Sequence, residues 1–276
     1  MRDKVLLLNL VLSLCFYEGC AINPISGEED FMLYPEQHDI AIGKKYAPEA
    51  EKQLKGKIPN ESLQNYIDTV GQRIARISHR PDWEYHFIAV QDESINALAL
   101  PGGYVFITKG LLAKLTTAAQ LASILAHEVA HAVARDSAAV ISREIGIGVL
   151  FAVAATQETP RSAMEAANIT RQILGLQYSR DDEQEADLAG LDYMVQAGYH
   201  PGGMIETMQI LQDEQKVKPI EFFSTHPDPQ NRIIYLTQKI QARYSNIAGL
   251  KIGKEKYQQD VLAHLKDNKS HSPDTQ

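Results

Sequence analysis

The residues whose types and spacing best suit metal chemistry are His127, Glu128 and His131, which lie in the stretch LASILAHEVAHAVAR from Leu121 to Arg135. This stretch lacks proline and glycine and is rich in alanine and leucine, so it predicts a buried helix within a helix-compatible run from Thr117 to Ser142. Residues four apart share one helix face, so a single metal ion can contact both imidazoles. Glu128, on the neighbouring flank, can then act as general base on a water at the metal, as in H-E-x-x-H metalloproteases.

The alternative interpretation is a pair of core histidines that bond to backbone groups, with Glu128 paired to an arginine. Burying two imidazoles and a carboxylate among apolar side chains costs several kcal/mol unless they are paired or bound to a metal. That cost favours the metal site.

A second helix, predicted from Asp182 to Ala197, starts with acidic residues and is followed by Gly198. We interpret Asp181, Asp182 and Glu185 as a solvated helix start. The same helix also carries two acidic residues that require another explanation.

Glu183 and Asp187 are four apart on a face that continues to Gly190, Leu191 and Met194, which predicts that both carboxylates point inward. Two buried carboxylates need partners. A metal already held by two histidines supplies one for Glu183. Asp187 can accept the free ring N–H of a ligating histidine and fix its tautomer.

The bulk composition limits the possible functions. The chain has 276 residues, is 44% hydrophobic and carries a net charge of −8 with interspersed signs, so nucleic acid is an unsuitable partner. Its two cysteines, Cys15 and Cys20, both lie in the first twenty residues. The body therefore contains no disulfide, and any zinc must be held by histidine and carboxylate.

The N-terminus predicts export. Arg2 and Lys4 precede a run of 12 mainly apolar residues, Val5–Phe16, which is short for a membrane span and typical of a signal peptide. Gly19-Cys20 resembles a bacterial lipoprotein cleavage site, so residues 1–19 would be removed and Cys20 lipidated. Ordinary cleavage and an uncleaved anchor are the alternatives. Residues 20–35, with their proline, glycine and three consecutive acids, are predicted to be a tether and loop.

The segment before the metal helix predicts two helices and a small sheet. His86 is interpreted as a packed strand residue rather than a ligand. Pro101-Gly102-Gly103 separates two apolar runs, which indicates a hairpin. This hairpin either covers the metal helix or pairs with an extended peptide substrate, and the sequence leaves both open. The predicted elements are the helices Glu36–Lys55 and Ser62–Ser78 and the strands Glu84–Gln91, Ala97–Leu100 and Tyr104–Thr108.

Beyond the metal helix, Ile145–Thr156 is an uncharged apolar run of 12 residues, too short for a clear membrane span. It predicts either a buried helical hairpin or a segment at the bilayer interface. The other predicted helices are Ser162–Tyr178, Gly202–Gln215, Gln230–Ala248 and a short one near Tyr257–Leu265 in an otherwise polar end.

The motifs HEVAH and EQEAD, together with NALALPGGYVFITKGLL, YSRDDEQEAD and STHPDPQNR, resemble the gluzincin peptidase family that includes prenyl-protein proteases and the bacterial HtpX and BepA proteins. The matches extend over roughly residues 20–240. The resemblance implies a mainly helical α+β, zincin-like domain with a small sheet or hairpin beside the active helix. It also implies one zinc ion held by His127, His131 and Glu183, with Glu128 as catalytic base.

The resemblance also singles out two residues near the end of the chain. His226, on a loop between prolines, would approach the zinc as an inhibitory fourth ligand or a transition-state contact, with an exposed loop histidine as the alternative. Arg232 would pair with Asp187 or an oxyanion. Among family members, the short lipoprotein-like form is most similar to the BepA kind. No 34-residue helical repeat is visible, so we expect a metallopeptidase domain at 36–248 and a polar tail at 249–276.

The predicted function is a zinc endopeptidase of the bacterial cell envelope, lipid-anchored to the outer membrane on its periplasmic side. The resemblance implies unfolded or misassembled envelope proteins as substrates. One alternative is a chaperone that binds extended clients over a largely structural or latent zinc site, and another is a metal-free membrane adaptor. The sequence leaves the oligomeric state open.

Overall fold

The structure is a computed structural model that describes residues 20–145, 163–227 and 231–267. It is a mainly helical α+β domain, which confirms the predicted fold class. The predicted signal peptide and nearly all of the apolar run Ile145–Thr156 lie outside the described residues. Among the helices that are described, none has the length and apolar character needed to cross a membrane. The limits of the metallopeptidase domain stay a prediction.

The helices surround the predicted metal helix, α4. They differ from the predicted helices by a few residues at their ends, because terminal turns are set by caps and packing. Ile40 of the first helix is 46% exposed despite being apolar. The helices are α1 Glu36–Gln53, α2 Glu61–Ala75, α3 Lys109–Leu112, α4 Ala118–Ala134, α5 Asp136–Val140, α6 Ala163–Leu174, α7 Arg180–Gln196, α8 Gly202–Val217, α9 Phe222–Thr225, α10 Arg232–Arg243, α11 Lys254–Tyr257 and α12 Ala263–Asp267.

In the part of the chain that the structure describes, five strands form two sheets, and the larger sheet contains the predicted hairpin. Its strands are β3 His86–Val90, β4 Ala97–Leu100 and β5 Tyr104–Thr108, in the order β3-β5-β4. Strands β4 and β5 are antiparallel, with Leu98 opposite Phe106, so the hairpin prediction is confirmed. Strand β3 is parallel to β5. Strand β4 therefore lies at the edge of this sheet and packs against α4.

Helix α4 is buried along its whole length. Its N-terminal groups are satisfied from two directions. Thr117 caps the helix by accepting a hydrogen bond from the Gln120 amide at 3.2 Å, a contact of the kind that contributes about 1 kcal/mol. The Ala119 amide donates to the carbonyl of Ile252 at 3.0 Å. The end of the chain thus helps to fix the metal helix.

Two glycines bring neighbouring helices into backbone contact with α4. A Cβ at Gly190 of α7 would lie 3.0 Å from the His127 amide nitrogen, and one at Gly203 of α8 would lie 2.6 Å from the Ala119 carbonyl carbon. The approach at Gly203 is closer than real Cβ atoms come to any atom, so it requires glycine, whereas a Cβ at Gly190 would force the His127 backbone to shift by a few tenths of an ångström. The close approach at Gly190 places α7, which carries Glu183 and Asp187, directly against α4.

The predicted buried helix is present, and the helix-compatible run from Thr117 to Ser142 breaks at Arg135. This residue has the left-handed φ of 64° and ends α4. Its buried guanidinium contacts the Asp39 carboxylate of α1 and donates to the Tyr34 carbonyl at 3.0 Å. These contacts offset the strain of a left-handed non-glycine residue. The chain then resumes in α5 and a π-helical turn, Ile141–Ile145.

The segment predicted as a tether is folded instead. It contains the antiparallel strands β1 Cys20–Ile22 and β2 Glu29–Phe31, which form the second sheet. The short helix predicted near Tyr257–Leu265 is present as a series of helical turns, which contribute Tyr257, Val261 and Leu265 to the core, and the Tyr257 hydroxyl donates to the Leu112 carbonyl at 2.7 Å. In both segments short apolar patterns are stabilised by tertiary packing rather than by their own length.

Candidate metal centre

The structure gathers four side chains whose ligand atoms all lie within 4.8 Å of one another: His127, His131, Glu183 and His226. The Nε2 atoms of His127 and His131 are 3.0 Å apart, as one helical turn allows. A Glu183 oxygen lies 3.3 Å from Nε2 of His131 and 2.8 Å from Nδ1 of His226. All four side chains are buried. The predicted ligands are therefore brought together, with His226 beside them rather than on an exposed loop.

Asp187 lies behind His127, where the sequence predicted it. Its Oδ1 is 3.1 Å from Nδ1 of His127, and its second oxygen accepts a hydrogen bond from the Tyr235 hydroxyl. Arg232 donates to Oδ1 at 2.6 Å and lies 3.4 Å from Glu183. The structure thus pairs Arg232 with Asp187, the first of the two predicted partners. Tyr235 was not anticipated, since its place in the network depends on how α10 docks.

His131 has a corresponding partner that the sequence analysis missed. Oδ2 of Asp136 lies 2.6 Å from its Nδ1. The ring of Tyr178 stacks on the His131 ring at 4.1 Å and 17°, and its hydroxyl is 2.9 Å from that of Ser137. An acidic residue five positions after the second histidine was the available signal. In a continuous helix that residue would lie on a different face from His131, so the contact depends on the break at Arg135.

Glu128 lies beside this cluster without joining it. Within the described residues, neither of its carboxylate oxygens has a hydrogen-bond partner, although both are buried. Nε2 of His226 lies 3.6 Å from Oε1 of Glu128. A carboxylate beside the ligand set that is not itself a ligand is the arrangement predicted for the general base.

These residues fit a zinc ion. Oδ1 of Asp187 and Oδ2 of Asp136 lie 3.1 Å and 2.6 Å from the Nδ1 atoms of His127 and His131, so the neutral imidazoles would carry their proton on Nδ1 and a lone pair on Nε2. The two lone pairs face each other and the Glu183 carboxylate, an arrangement of acceptors that needs a cation. Three neutral or anionic ligands from histidine and glutamate are the set used by catalytic zinc sites. A buried Glu183 oxygen without a hydrogen-bond partner in the described chain is consistent with the same conclusion.

The charges of the site lower the pKa of its carboxylates. Burial alone raises the pKa of Glu183, but His226 and His127 outweigh burial and hold it well below the ordinary range. Burial also opposes ionisation of Asp187, and there the Arg232 guanidinium wins and lowers the pKa. Both groups are therefore ionised and available as a ligand and as a hydrogen-bond acceptor.

The other predicted residues lie outside the cluster. Asp182 completes a capping box with Ser179 at the start of α7, and Glu185 accepts a hydrogen bond from Asn23 at 2.7 Å rather than being only solvated. His86 is a half-exposed residue of β3 that stacks on Tyr104, which agrees with its predicted structural role. Lipidation of Cys20 stays a prediction.

Comparison with known proteins gives consistent matches. The sequence profile of peptidase family M48 matches residues 61–240. The beta-barrel assembly-enhancing protease of Yersinia pestis is 29% identical over 211 residues, which are 71% of this chain and 42% of that protein. That of Escherichia coli is 27% identical over 198 residues, 66% of this chain and 40% of the relative. The mitochondrial metalloendopeptidase OMA1 of Schizosaccharomyces pombe is 32% identical over 223 residues, 76% and 63% respectively.

The chain spans about two fifths of the length of the bacterial relatives it matches. The family match confirms the predicted gluzincin resemblance, the metallopeptidase class and zinc as the metal that this class uses. The matched residues 61–240 include α4, the larger sheet and α7, so the family match extends over the elements that form the metal centre rather than over one motif. The chain belongs to peptidase family M48.

Proposed function

We propose that the chain is a zinc endopeptidase of the bacterial cell envelope that hydrolyses unfolded or misassembled proteins. The observation that carries this proposal is the buried set of His127, His131 and Glu183 with Glu128 unpaired beside it. A purely structural zinc site has no use for such a carboxylate. The bacterial relatives are named as proteases that enhance beta-barrel assembly, which supports envelope proteins as the substrate class.

The division of labour follows from the contacts. His127, His131 and Glu183 would hold zinc, which supplies Lewis acidity and makes a bound water acidic at neutral pH. Glu128 takes the proton of the attacking water and passes it to the leaving amine. Asp187 and Asp136 keep the histidines in one tautomer. Arg232 holds Asp187 in place, and a direct contact of Arg232 or His226 with the developing oxyanion is part of the proposal.

The test of the catalytic role is Glu128→Gln. This variant keeps the size and burial of the side chain but removes the base, so we expect zinc content near that of wild type and a loss of peptide cleavage of at least about 100-fold. Zinc is measured by metal analysis and cleavage with an unfolded protein substrate. Glu221→Gln, at an exposed position, is the control and should cleave normally. Undiminished turnover in Glu128→Gln would remove Glu128 from its role.

The described arrangement also supports a latent state. His226 contacts Glu183 at 2.8 Å, and the Phe222 amide of the same segment donates at 3.0 Å to the Ile95 carbonyl just before β4. Helix α9 and His226 therefore lie over the ligands and beside the edge strand where an extended peptide would add. We propose that substrate hydrolysis requires displacement of this segment. An extended substrate peptide could then pair with the edge strand β4, which is one of the two interpretations of the hairpin given above.

His226→Ala distinguishes this latent state from the chaperone-like alternative with a structural zinc. A blocking histidine predicts several-fold faster cleavage with zinc retained, because three protein ligands remain. A structural fourth ligand predicts loss of zinc and a lower midpoint of thermal unfolding. Cleavage and zinc content are measured on the same preparation. A gain in cleavage with zinc retained supports the blocking role of His226, whereas loss of zinc without a gain in cleavage contradicts it.

The proposed location rests on the sequence of the first twenty residues. Removal of residues 1–19 and lipidation of Cys20 would hold the enzyme on the periplasmic side of the outer membrane. Mass spectrometry of the mature protein tests this directly, since a diacylated or triacylated N-terminal cysteine is expected. An unmodified residue at that position would contradict lipid anchoring without affecting the peptidase proposal.

A further inference from the structure

The N-terminal hairpin exposes large apolar side chains on one face. Phe31 ends β2 and is 48% exposed, and Leu33, in the bend that follows the strand, is 38% exposed, whereas Met32 and Tyr34 beside them are buried at 3% and 4%. Ile22 of β1 is 67% exposed. Leu33 is therefore a second accessible apolar side chain two residues after Phe31. The hairpin thus presents Ile22, Phe31 and Leu33, here called the outer face, to the surroundings.

The outer face lies where the chain meets its anchor. In the register of the sheet, the backbone of Cys20 is paired with Phe31 and that of Ile22 with Glu29. Paired residues of an antiparallel ladder project to the same side, so Ile22 shares the face of Glu29 and Phe31. The apolar run Val5–Phe16 ends four positions before Cys20. Lipidation of Cys20 and an uncleaved leader both bring the bilayer to this hairpin.

The hairpin is fixed to the catalytic domain rather than hinged to it. Asn23, which is buried, donates to Glu185 of α7 at 2.7 Å, and the Leu33 amide donates to the Ser142 hydroxyl at 3.0 Å. Ile25 packs against the main core. These contacts leave little chain between the anchor position and the folded body. An anchored domain must therefore lie close to the membrane in a defined orientation.

The acidic residues around the outer face restrict which lipid headgroups it can contact. Glu28, Glu29 and Asp30 follow one another in the turn and second strand, and Glu28 and Glu29 are exposed. Anionic lipid headgroups would be repelled by this acidic run, whereas a zwitterionic surface would not. We propose that Ile22, Phe31 and Leu33 insert into the interfacial region of a zwitterionic phospholipid bilayer and orient the domain on it. This inference rests on the envelope anchoring proposed above.

The test places a tryptophan on the outer face of the full chain. Phe31→Trp is made in a Trp83→Phe background, because Trp83 is the one native tryptophan. The matched control is Val217→Trp at the end of α8, which is 82% exposed and lies on another element. Both proteins are reconstituted into phosphatidylethanolamine and phosphatidylcholine vesicles that carry brominated acyl chains. We expect at least about twofold stronger quenching at position 31 than at position 217.

Each outcome decides one point. Equal quenching at positions 31 and 217 in membrane-bound protein overturns the inference and leaves anchoring intact. Absence of the chain from the membrane fraction overturns anchoring and the inference with it. A blue shift of the position 31 tryptophan that depends on protein concentration without vesicles would show that a second copy covers the outer face. Stronger quenching after phosphatidylglycerol is added would contradict the proposed preference for zwitterionic lipid.

A combined Ile22→Ser, Phe31→Ser and Leu33→Ser variant provides a second test. These side chains lie outside the metal centre, so cleavage of a short soluble peptide should be unchanged. On vesicles, we expect the variant to become at least about threefold more accessible to a soluble protease than wild type, with Val217→Ser as the control. Unchanged protease accessibility on vesicles would contradict insertion, provided that the soluble activity shows a folded enzyme.

Discussion

The two histidines of the metal centre lie one turn apart on α4, yet different parts of the chain hold them. His131 contacts Asp136, only five residues later, and this local side depends on the left-handed turn at Arg135. His127 contacts Asp187 of α7, which is itself held by Arg232 of α10. This distant side needs three helices in place. One ligand is therefore oriented by local chain geometry and the other by the assembled domain.

The difference has a physical consequence for stability. The distant side buries a guanidinium and two carboxylates, so each charge depends on the others. The local side has one carboxylate facing one imidazole, and among the described residues no arginine forms an ion pair with Asp136. Damage to the distant side should therefore unfold the domain as well as loosen the metal, whereas damage to the local side should affect mainly the metal.

The largest expected effect comes from Arg232→Ala, which leaves Asp187 and Glu183 buried without their cation. We expect the free energy of unfolding to fall by about 3–5 kcal/mol and zinc to be lost. Denaturant unfolding and metal analysis measure both. Arg243→Ala on the same helix removes an arginine that is 62% exposed and should cost less than about 1 kcal/mol. A loss below about 1 kcal/mol for Arg232→Ala would abolish the distinction between the two sides.

Two buried carboxylates around the centre, Asp39 beside the turn at Arg135 and Asp187 on the distant side, should respond to pH in opposite directions. Burial raises the pKa of Asp39, the partner of Arg135, to about 6, although Arg135 opposes the shift. A folded pKa above the unfolded value of 3.8 favours folding most below that value, and the contribution is lost as the pH rises through about 6. The lowered pKa of Asp187 gives the opposite sign, with stability present above 3.8 and lost in stronger acid.

We therefore expect Asp39→Asn to remove about 2–3 kcal/mol of pH-dependent unfolding free energy between about pH 4 and about pH 7. Chemical denaturation at each pH measures the difference from wild type. Asp82→Asn, at an exposed position, is the control and should follow the wild-type curve. Parallel curves for Asp39→Asn and wild type would contradict the raised pKa.

The finest test compares Asp187→Asn with Asp136→Asn. Each removes an anionic acceptor from a ligating histidine, and we expect a 10- to 100-fold loss of zinc affinity, roughly, in both. Only Asp187→Asn should also destabilise the zinc-free protein, because Arg232 loses its closest carboxylate. Chelator competition gives the affinities, and denaturant unfolding without zinc gives the stabilities. Equal destabilisation by both substitutions would show that the stability of the folded domain depends on the local side as much as on the distant side.

Much of the local structure around the site follows from sequence patterns that are independent of context. The strand and hairpin residues from His86 to Thr108 form the sheet, because turn chemistry at Pro101-Gly102-Gly103 and β-rich runs act over short distances. The predicted tether was wrong for a related reason. Strands of three residues among glycine, proline and acids are too short to give an alternation signal, and contacts with α7 and Ser142 stabilise them.

Sequence patterns alone predict which side chains form the centre. Two histidines at helical spacing, a glutamate between them and Glu183 on a buried helix face indicate imidazole and carboxylate ligands, since helical periodicity fixes which residues share a face. How these groups are held follows from the tertiary structure instead. The break at Arg135, the approach at Gly190 and the docking of Arg232 all depend on backbone strain and packing between segments far apart in the chain, which no local pattern records.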